Sequence, residues 1–232
     1  RVAVESQYDE RDVALYNLGI GANEKDLEYI YEGDDAFEAI PTFGVLPMID
    51  AMHQFPLDFL PNFEPAKLLH GEQSLRILGP IPTRGKLVSN AQLIECLDKG
   101  KAVSVVLKTT TKTSAANPGG EKVLFENVST LFIRGSGGFG GQRHSTRSDE
   151  STATNRPPAR KPDAIMFHTT SANQAALYRL SGDYNPLHVD PEFAEMGGFS
   201  KASHRRCFCV IFVLLVVRGN TVQMLTDWLF PL

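Results

Sequence analysis

The chain is poor in cysteine and lacks long apolar runs. Its three cysteines, Cys96, Cys207 and Cys209, have neither C-x-x-C nor zinc-site spacing. An odd count without such a pattern favours a reducing compartment over a disulfide-bonded secreted fold. The longest apolar run, Cys207 to Val217, has eleven residues, whereas a membrane-spanning helix needs about 20. We therefore predict no membrane span.

Excess positive charge is also absent. The 232 residues include 23 Lys and Arg against 27 Asp and Glu, which gives a formal net charge of −4. Without a basic run, this balance predicts that nucleic acid is not a partner. No signal-peptide apolar region follows Arg1. A content of 42% apolar and 22% charged residues is typical of a globular protein with one large domain or two ordinary ones.

Several motifs that would define a reaction are missing or incomplete. No group of His, Cys, Asp and Glu has metal-ligand spacing, so we predict no metal site. Ser181 does not lie in a G-x-S-x-G motif, which argues against a serine hydrolase. The segment from Gly135 to Gly140 matches G-x-G-x-x-G, but a dinucleotide site also needs a helix directly after it. A polar tract follows instead, so we interpret the glycines as a flexible exit from a strand.

The first 141 residues combine two short helical patterns with four long β-rich runs. The helical patterns cover Asp9 to Leu18 and Val45 to His53, the second opened by Pro41-Thr42. The β-rich runs are Gln73–Leu78, Lys86–Asp98, Ala102–Thr111 and Lys122–Ile133, with turns at Asp98–Lys101 and Asn117–Gly120. Helices followed by antiparallel hairpins predict an α+β fold in which a sheet wraps over a helix.

Residues 142–162 are polar, contain three prolines and are predicted to be a linker between domains 1–141 and 163–232. After the linker, Ser171 begins a capping-box pattern for a helix that Gly182 ends. Asp190-Pro191 begins another helix, which runs to about Met196.

A short loop between these two helices carries the most reactive pair of side chains. Asp183 and His188 lie on either side of Asn185-Pro186. A carboxylate can orient an imidazole or share a proton with it, and the Asn185 amide can donate and accept hydrogen bonds. The alternative is an Asx-turn with His188 on the surface. Spacing alone leaves both interpretations open.

The segment Tyr178–His188 resembles a family signature, Y-R-L-S-G-D-x-N-P-L-H. This is the pattern of the MaoC-like, (R)-specific enoyl-CoA hydratases, or hydratase 2 family. Further segments resemble the peroxisomal members of that family: Tyr31–Gly33, Pro41–Val45, Leu69–Gln73, Leu97–Gly100, Gly135–Gly141 and Asn155–Pro158. The resemblance runs from about Tyr16 to Lys201.

The resemblance implies a double hot-dog fold, in which each of two repeats wraps an antiparallel sheet around a helix. It also implies hydration of a trans-2-enoyl-CoA to a (3R)-3-hydroxyacyl-CoA in fatty-acid β-oxidation. Asp183 and His188 would hold and activate the water, and Asn185 would help to position it. Three residues would line the acyl-CoA site: His70, Gly71 and Lys99. No cofactor is implied, because CoA is part of the substrate.

The family pattern is lost after about Lys201. A glycine that donates to the thioester oxygen is expected near Arg206, and Cys207–Leu232 shows no strand-turn-strand alternation. We therefore expect an incomplete second repeat with an atypical tail from about residue 202. A premature stop, a retained intron, a frameshift or a mistaken gene model would produce this pattern.

The departure leaves alternatives open. One is a non-catalytic acyl-CoA-binding or scaffold protein, and another is a MaoC-like dehydratase of fatty-acid synthesis that differs in its acyl carrier. The resemblance implies a peroxisomal location, although the chain ends Phe230-Pro231-Leu232 rather than Ser-Lys-Leu. The resemblance also leaves open whether the chain forms a homodimer.

Overall fold

The structure is a computed structural model that describes residues 2–117, 119–148, 159–161, 173–199, 215–218 and 221–224. Its main feature is one antiparallel sheet. The strands are β1 (Val2–Tyr8), β2 (Leu68–Ile77), β3 (Gly85–Asp98), β4 (Ala102–Thr113), β5 (Val123–Arg134), β6 (Leu215–Arg218) and β7 (Thr221–Met224). Their order across the sheet is β1-β3-β4-β5-β2-β7-β6.

All four predicted β-rich runs are strands, and they occupy the centre of this sheet. β2 begins at Leu68 rather than Gln73, and it has a bulge between His70 and Glu72. The predicted turn at Asp98–Lys101 joins β3 to β4, where the Lys99 amide donates to the Ala102 carbonyl at 2.9 Å. The second predicted turn lies between β4 and β5, with Pro118 outside the described residues. β1 was not predicted, although its side chains alternate in exposure along β3.

The first half of the chain also contains the helices α1 (Glu10–Gly19), α2 (Leu27–Ile30) and α3 (Ile49–His53) and two 3₁₀ segments, Pro41–Met48 and Pro65–Lys67. Asp9 caps α1 through a capping box, because its carboxylate can accept from unpaired amides of the first turn. The predicted helix at Val45–His53 is 3₁₀ up to Met48 and α-helical afterwards. Pro47 lies inside the 3₁₀ part, where it has no N–H to donate to a helical hydrogen bond.

The sheet wraps over the Pro41–His53 segment, as predicted. Met48, Ala51 and Met52 pack against the inner faces of β4 and β5, and all three are buried. Val103, Val105 and Leu107 of β4 are fully buried in the same cluster. Burial of this apolar surface is the main stabilising contribution to the fold.

The second half supplies α4 (Gln174–Leu180), a 3₁₀ turn (Pro186–His188) and α5 (Pro191–Met196). α4 begins after Asn173, which makes no side-chain capping bond, whereas the predicted cap Ser171 lies outside the described residues. Gly182 follows α4 with a φ of +133°, a conformation that favours glycine. Asp190 caps α5 as predicted, by accepting from the amides of Glu192 and Phe193.

The expectation that no strands follow residue 207 was wrong. β6 and β7 form an antiparallel hairpin, and β7 pairs with Gln73–Arg76 of β2. The missed signal is Gly219-Asn220 between two runs rich in β-branched residues, a pattern typical of a hairpin. Residues 207–214, most of the apolar run, lie outside the described residues.

The predicted linker is described only at residues 142–148 and 159–161. Its first part runs beside β3, where the Asp98 amide donates to the Gln142 carbonyl at 2.8 Å and Ser145 donates to the Glu95 carboxylate. The division into two domains at residues 142–162 stays a prediction.

Candidate active site

The helix that leads into the Asp183 loop is anchored on the first half of the chain. Gln174 donates from its side chain to the Gly19 carbonyl at the end of α1. Tyr178 is buried in a cluster with Val13, Tyr16 and Phe43. The position of the loop therefore depends on packing between α1 and α4.

The far side of the loop is anchored on the sheet. Leu187 packs with Leu69 of β2 and Ala194 of α5 in one buried cluster. Arg134, at the end of β5, donates to the Gly197 carbonyl after α5, and its guanidinium lies 5.2 Å from the Phe199 ring centroid. Because Leu69 precedes His70, this packing brings the loop beside the predicted substrate residues on β2.

Asp183 and His188 are in contact. Asp183 Oδ2 lies 3.1 Å from His188 Nε2, and the two side chains are only 15% and 10% exposed. Asp183 Oδ1 accepts from the Asn185 amide at 3.3 Å, which is an Asx-turn. The Asp183 carboxylate therefore combines both interpretations that the sequence left open. It closes the turn, and it also orients an imidazole that is buried and not on the surface.

The surroundings of Asp183 favour its ionised form. Burial raises its pKa, but the hydrogen bond and charge of His188, the charge of His53 and the Asn185 amide together lower the pKa below its ordinary value. Hydrogen bonds to a carboxylate favour its charged form. His188 Nδ1 is buried and makes no hydrogen bond to any described residue.

Asn185 occupies a capping position. Its side-chain oxygen accepts from the Leu187 amide at 3.0 Å, at the start of the 3₁₀ turn. This contact fixes the turn that carries His188. The predicted part of Asn185 in water binding stays a prediction.

The predicted residues on β2 lie near the loop. His70 Nε2 is 2.9 Å from Gln73 Oε1. Burial lowers the pKa of His70, while the Asp183 carboxylate and the hydrogen bond with Gln73 act in the opposite direction. Gly71 lies in the β2 bulge, where a Cβ would lie 3.3 Å from the Thr130 carbonyl oxygen.

Lys99 lies at the exposed tip of the β3–β4 hairpin. Its ammonium donates to the Arg143 carbonyl at 2.7 Å, and no hydrogen bond among the described residues joins it to Asp183, His188 or His70. The Asp183 charge acts on the pKa of His70, whereas the described residues show no such link between Lys99 and the loop. Its predicted role in acyl-CoA binding stays a prediction.

The glycine-rich segment after β5 is held by a carboxylate of the protein. The amides of Gly138 and Gly140 donate to Asp98 at 2.8 and 2.7 Å, and the Gly100 amide does so from the hairpin. These amides lower the pKa of Asp98 to about 2. No helix follows within residues 135–148, as the sequence indicated, but the segment is more firmly held than predicted.

His53 acts electrostatically on the site, and the sequence did not predict this. It is the last residue of α3, and its charge acts on both Asp183 and His70. The helical pattern of Val45–His53 placed it at a helix end, but nothing in the sequence placed that end beside the loop. Among the described residues, no group of three or more His, Cys, Asp and Glu could hold a metal ion, and no helix is long and apolar enough to cross a bilayer.

Comparison with known proteins identifies the family of the chain. A family model described as the MFE-2 hydratase 2 N-terminal domain matches residues 6–135, more than half of the chain. The chain belongs to the hydratase 2 family. A model of the MaoC-like domain matches residues 153–205, which include the whole Asp183 loop.

Several similar proteins carry hydratase names. The chain is 53% identical over 197 residues to the peroxisomal hydratase-dehydrogenase-epimerase of Neurospora crassa, covering 84% of this chain and 22% of that protein. It is 40% identical over 200 residues to a probable enoyl-CoA hydratase 2 of Dictyostelium discoideum, covering 84% of this chain and 65% of that protein. The chain therefore spans less than two thirds of each of these relatives.

A solved structure supports the hydratase 2 fold. Full-length peroxisomal multifunctional enzyme type 2 of Drosophila melanogaster aligns with a TM-score of 0.72 at 35% identity, over 91% of this chain and 36% of that one. The α+β hot-dog architecture is thereby confirmed. The described elements after the predicted linker are α4, the 3₁₀ turn, α5 and the paired strands β6 and β7.

Proposed function

We propose that this hydratase 2 chain adds water to trans-2-enoyl-CoA thioesters and forms (3R)-3-hydroxyacyl-CoA in fatty-acid β-oxidation. The contact between Asp183 and His188, on a loop anchored at both ends, is the observation that carries the proposal. It joins a carboxylate held in its ionised form to a buried imidazole, as activation of one water requires.

The reaction needs one water molecule and no change of oxidation state. The water oxygen bonds to C3 of the enoyl group, and the electrons of the C2–C3 double bond move towards the thioester oxygen. The Asp183–His188 pair takes the water proton and returns it to C2, so that one water supplies both added groups. Holding the water next to C3 replaces a dilute encounter by an oriented one.

Further residues complete the proposed site. Asn185 fixes the loop, and the acyl-CoA lies against His70, Gly71 and Lys99 of the first repeat. We propose no cofactor, because CoA is part of the substrate and the reaction is redox-neutral. The names of relatives such as the Neurospora crassa enzyme support a peroxisomal location.

A second function is favoured by the end of the MaoC-like match at residue 205. The glycine amide expected to stabilise the thioester oxygen has no counterpart at Arg206. Loss of one such donor costs about 10²–10³ in rate. The alternative is therefore a chain that binds acyl-CoA without turning it over.

One pair of measurements separates these functions. Crotonyl-CoA is incubated with the chain, loss of the absorbance of the conjugated thioester is followed, and the configuration of the product is determined. Acyl-CoA binding is measured in parallel by calorimetry. Formation of the (3R) product supports the hydratase, whereas binding without turnover supports the alternative. The same acyl group on a carrier protein tests the carrier preference.

A further inference from the structure

A buried row of amide groups connects the central helical segment to His70. It begins at the Gly44 carbonyl in the Pro41–Met48 segment. The residue three positions later is Pro47, which has no N–H to offer in a 3₁₀ hydrogen bond. Asn127 Nδ2 of β5 donates to this carbonyl at 3.0 Å.

The Gly44 carbonyl sets the direction of every hydrogen bond in the row. A carbonyl can only accept, so the Asn127 amide must present its NH₂ group there and its oxygen to the other side. Asn127 Oδ1 accepts from Gln73 Nε2 at 2.7 Å. Gln73 Nε2 also donates to the Ser74 carbonyl at 3.3 Å. Gln73 therefore presents Oε1, and not its NH₂ group, to Ser129 and His70. Asn127 and Gln73 are 0% and 4% exposed, so reversing either amide would leave buried groups unpaired.

His70 lies at the end of the row. Gln73 Oε1 is 2.7 Å from the Ser129 hydroxyl and 2.9 Å from His70 Nε2. Because Oε1 is an acceptor, His70 Nε2 must carry a hydrogen. In the neutral imidazole, Nδ1 is then the only acceptor of the ring.

We propose that Gln73 and Asn127 are positioning residues that hold His70 as its Nε2–H tautomer in the acyl-CoA site. The row explains why two amides are buried at the centre of an apolar sheet. This tautomer leaves Nδ1 as the atom that would accept from an N–H or O–H group of the ligand. The place of His70 in the acyl-CoA site rests on the proposed function, whereas the tautomer does not.

The tautomer is measured directly by nitrogen-15 NMR of the labelled full chain at neutral pH, with His70 assigned from the spectrum of His70→Gln. We expect the two-bond correlation pattern of an Nε2–H imidazole. In Gln73→Met the acceptor is lost, and we expect the His70 signals to move towards a mixture of tautomers. In Gln73→Glu the new carboxylate should shift His70 towards the imidazolium form.

Ser129→Ala is the matched control, because it removes the other partner of Gln73 Oε1 and leaves the row intact. His70 should remain Nε2–H in this variant. An Nδ1–H tautomer in the unmodified chain overturns the proposal even if a variant fails to fold. An unchanged His70 spectrum in folded Gln73→Met also overturns it. Neither result depends on turnover, so failure here is distinct from failure of the proposed hydratase function.

Discussion

At the scale of single residues, Asp98 gives the glycine-rich segment a structural role. Its carboxylate accepts from the Gly100 amide in the β3–β4 hairpin and from the Gly138 and Gly140 amides in the segment after β5. These hydrogen bonds require the backbone of the glycine-rich segment to lie close to the backbone of the β3–β4 hairpin. A Cβ on Gly137 would lie 2.3 Å from the Ala102 carbonyl oxygen and 2.6 Å from that of Gly100. The motif therefore serves close packing and the binding of an internal anion.

We predict that Gly137→Ala lowers the free energy of unfolding by about 2–3 kcal/mol, since the added methyl group would force backbone segments apart. Gly19→Ala is the control. Its Cβ would make ordinary contacts at 3.7 Å with Leu177 and Ser181, so the change should be neutral or stabilising by up to about 1 kcal/mol. Urea denaturation measures both, and equal effects would contradict the argument.

At the scale of elements, the Asp183 loop depends on the packing of α1 against α4. Val13 is fully buried in the cluster that contains Tyr178. Leu18, on the same helix, is 43% exposed. Shortening the side chain at Val13 or at Leu18 therefore compares a buried with an exposed position of the same helix.

We predict that Val13→Ala destabilises the chain by about 2 kcal/mol, because it removes buried methyl groups and leaves a cavity. Amide hydrogen exchange in residues 174–180 should also become faster. Leu18→Ala should change stability by no more than about 0.5 kcal/mol. Equal exchange in the two variants would show that α4 is not held by this contact.

The elements also show how far the sequence could predict the fold. Long β-rich runs with turn residues between them predicted β2 to β5, because side-chain alternation and turn chemistry are local properties. The pairing of β6 with β7 was not predicted, because the continuous apolar run before it shows no strand-like alternation. The Asp183–His188 contact followed from local spacing and a family signature. The approach of His53 and the amide row from Gly44 to His70 could not be predicted, because they depend on how distant segments pack.

At the scale of the whole molecule, ionisable groups with little exposure to solvent link the free energy of unfolding to pH. The pKa of His70 is lowered by burial, so the folded chain binds fewer protons than the unfolded chain as pH falls below about 6.5. The folded state therefore loses stability on acidification, and the loss continues down to the lowered pKa. Asp183 and Asp98 also have lowered pKa values. Their contributions to the free energy of unfolding are therefore lost only below about pH 3.9, the pKa of an aspartate in the unfolded chain.

We predict that the free energy of unfolding is lower at about pH 5.5 than at about pH 7.5, and that His70→Gln reduces this difference. Glutamine keeps a donor for Gln73 but cannot titrate. Urea denaturation of both proteins at the two pH values measures the change. The same pH dependence in both would show that His70 does not cause it.

The rate of crotonyl-CoA hydration by Asp183→Asn, His188→Gln and the double variant tests the central claim most directly. If the pair acts on one water, each single change should lower the rate by about 10²–10⁴, and the double variant should be little slower than either single one. Asp190→Asn is the control, since asparagine also caps a helix, and it should keep the wild-type rate. Wild-type turnover in either single variant would contradict the account.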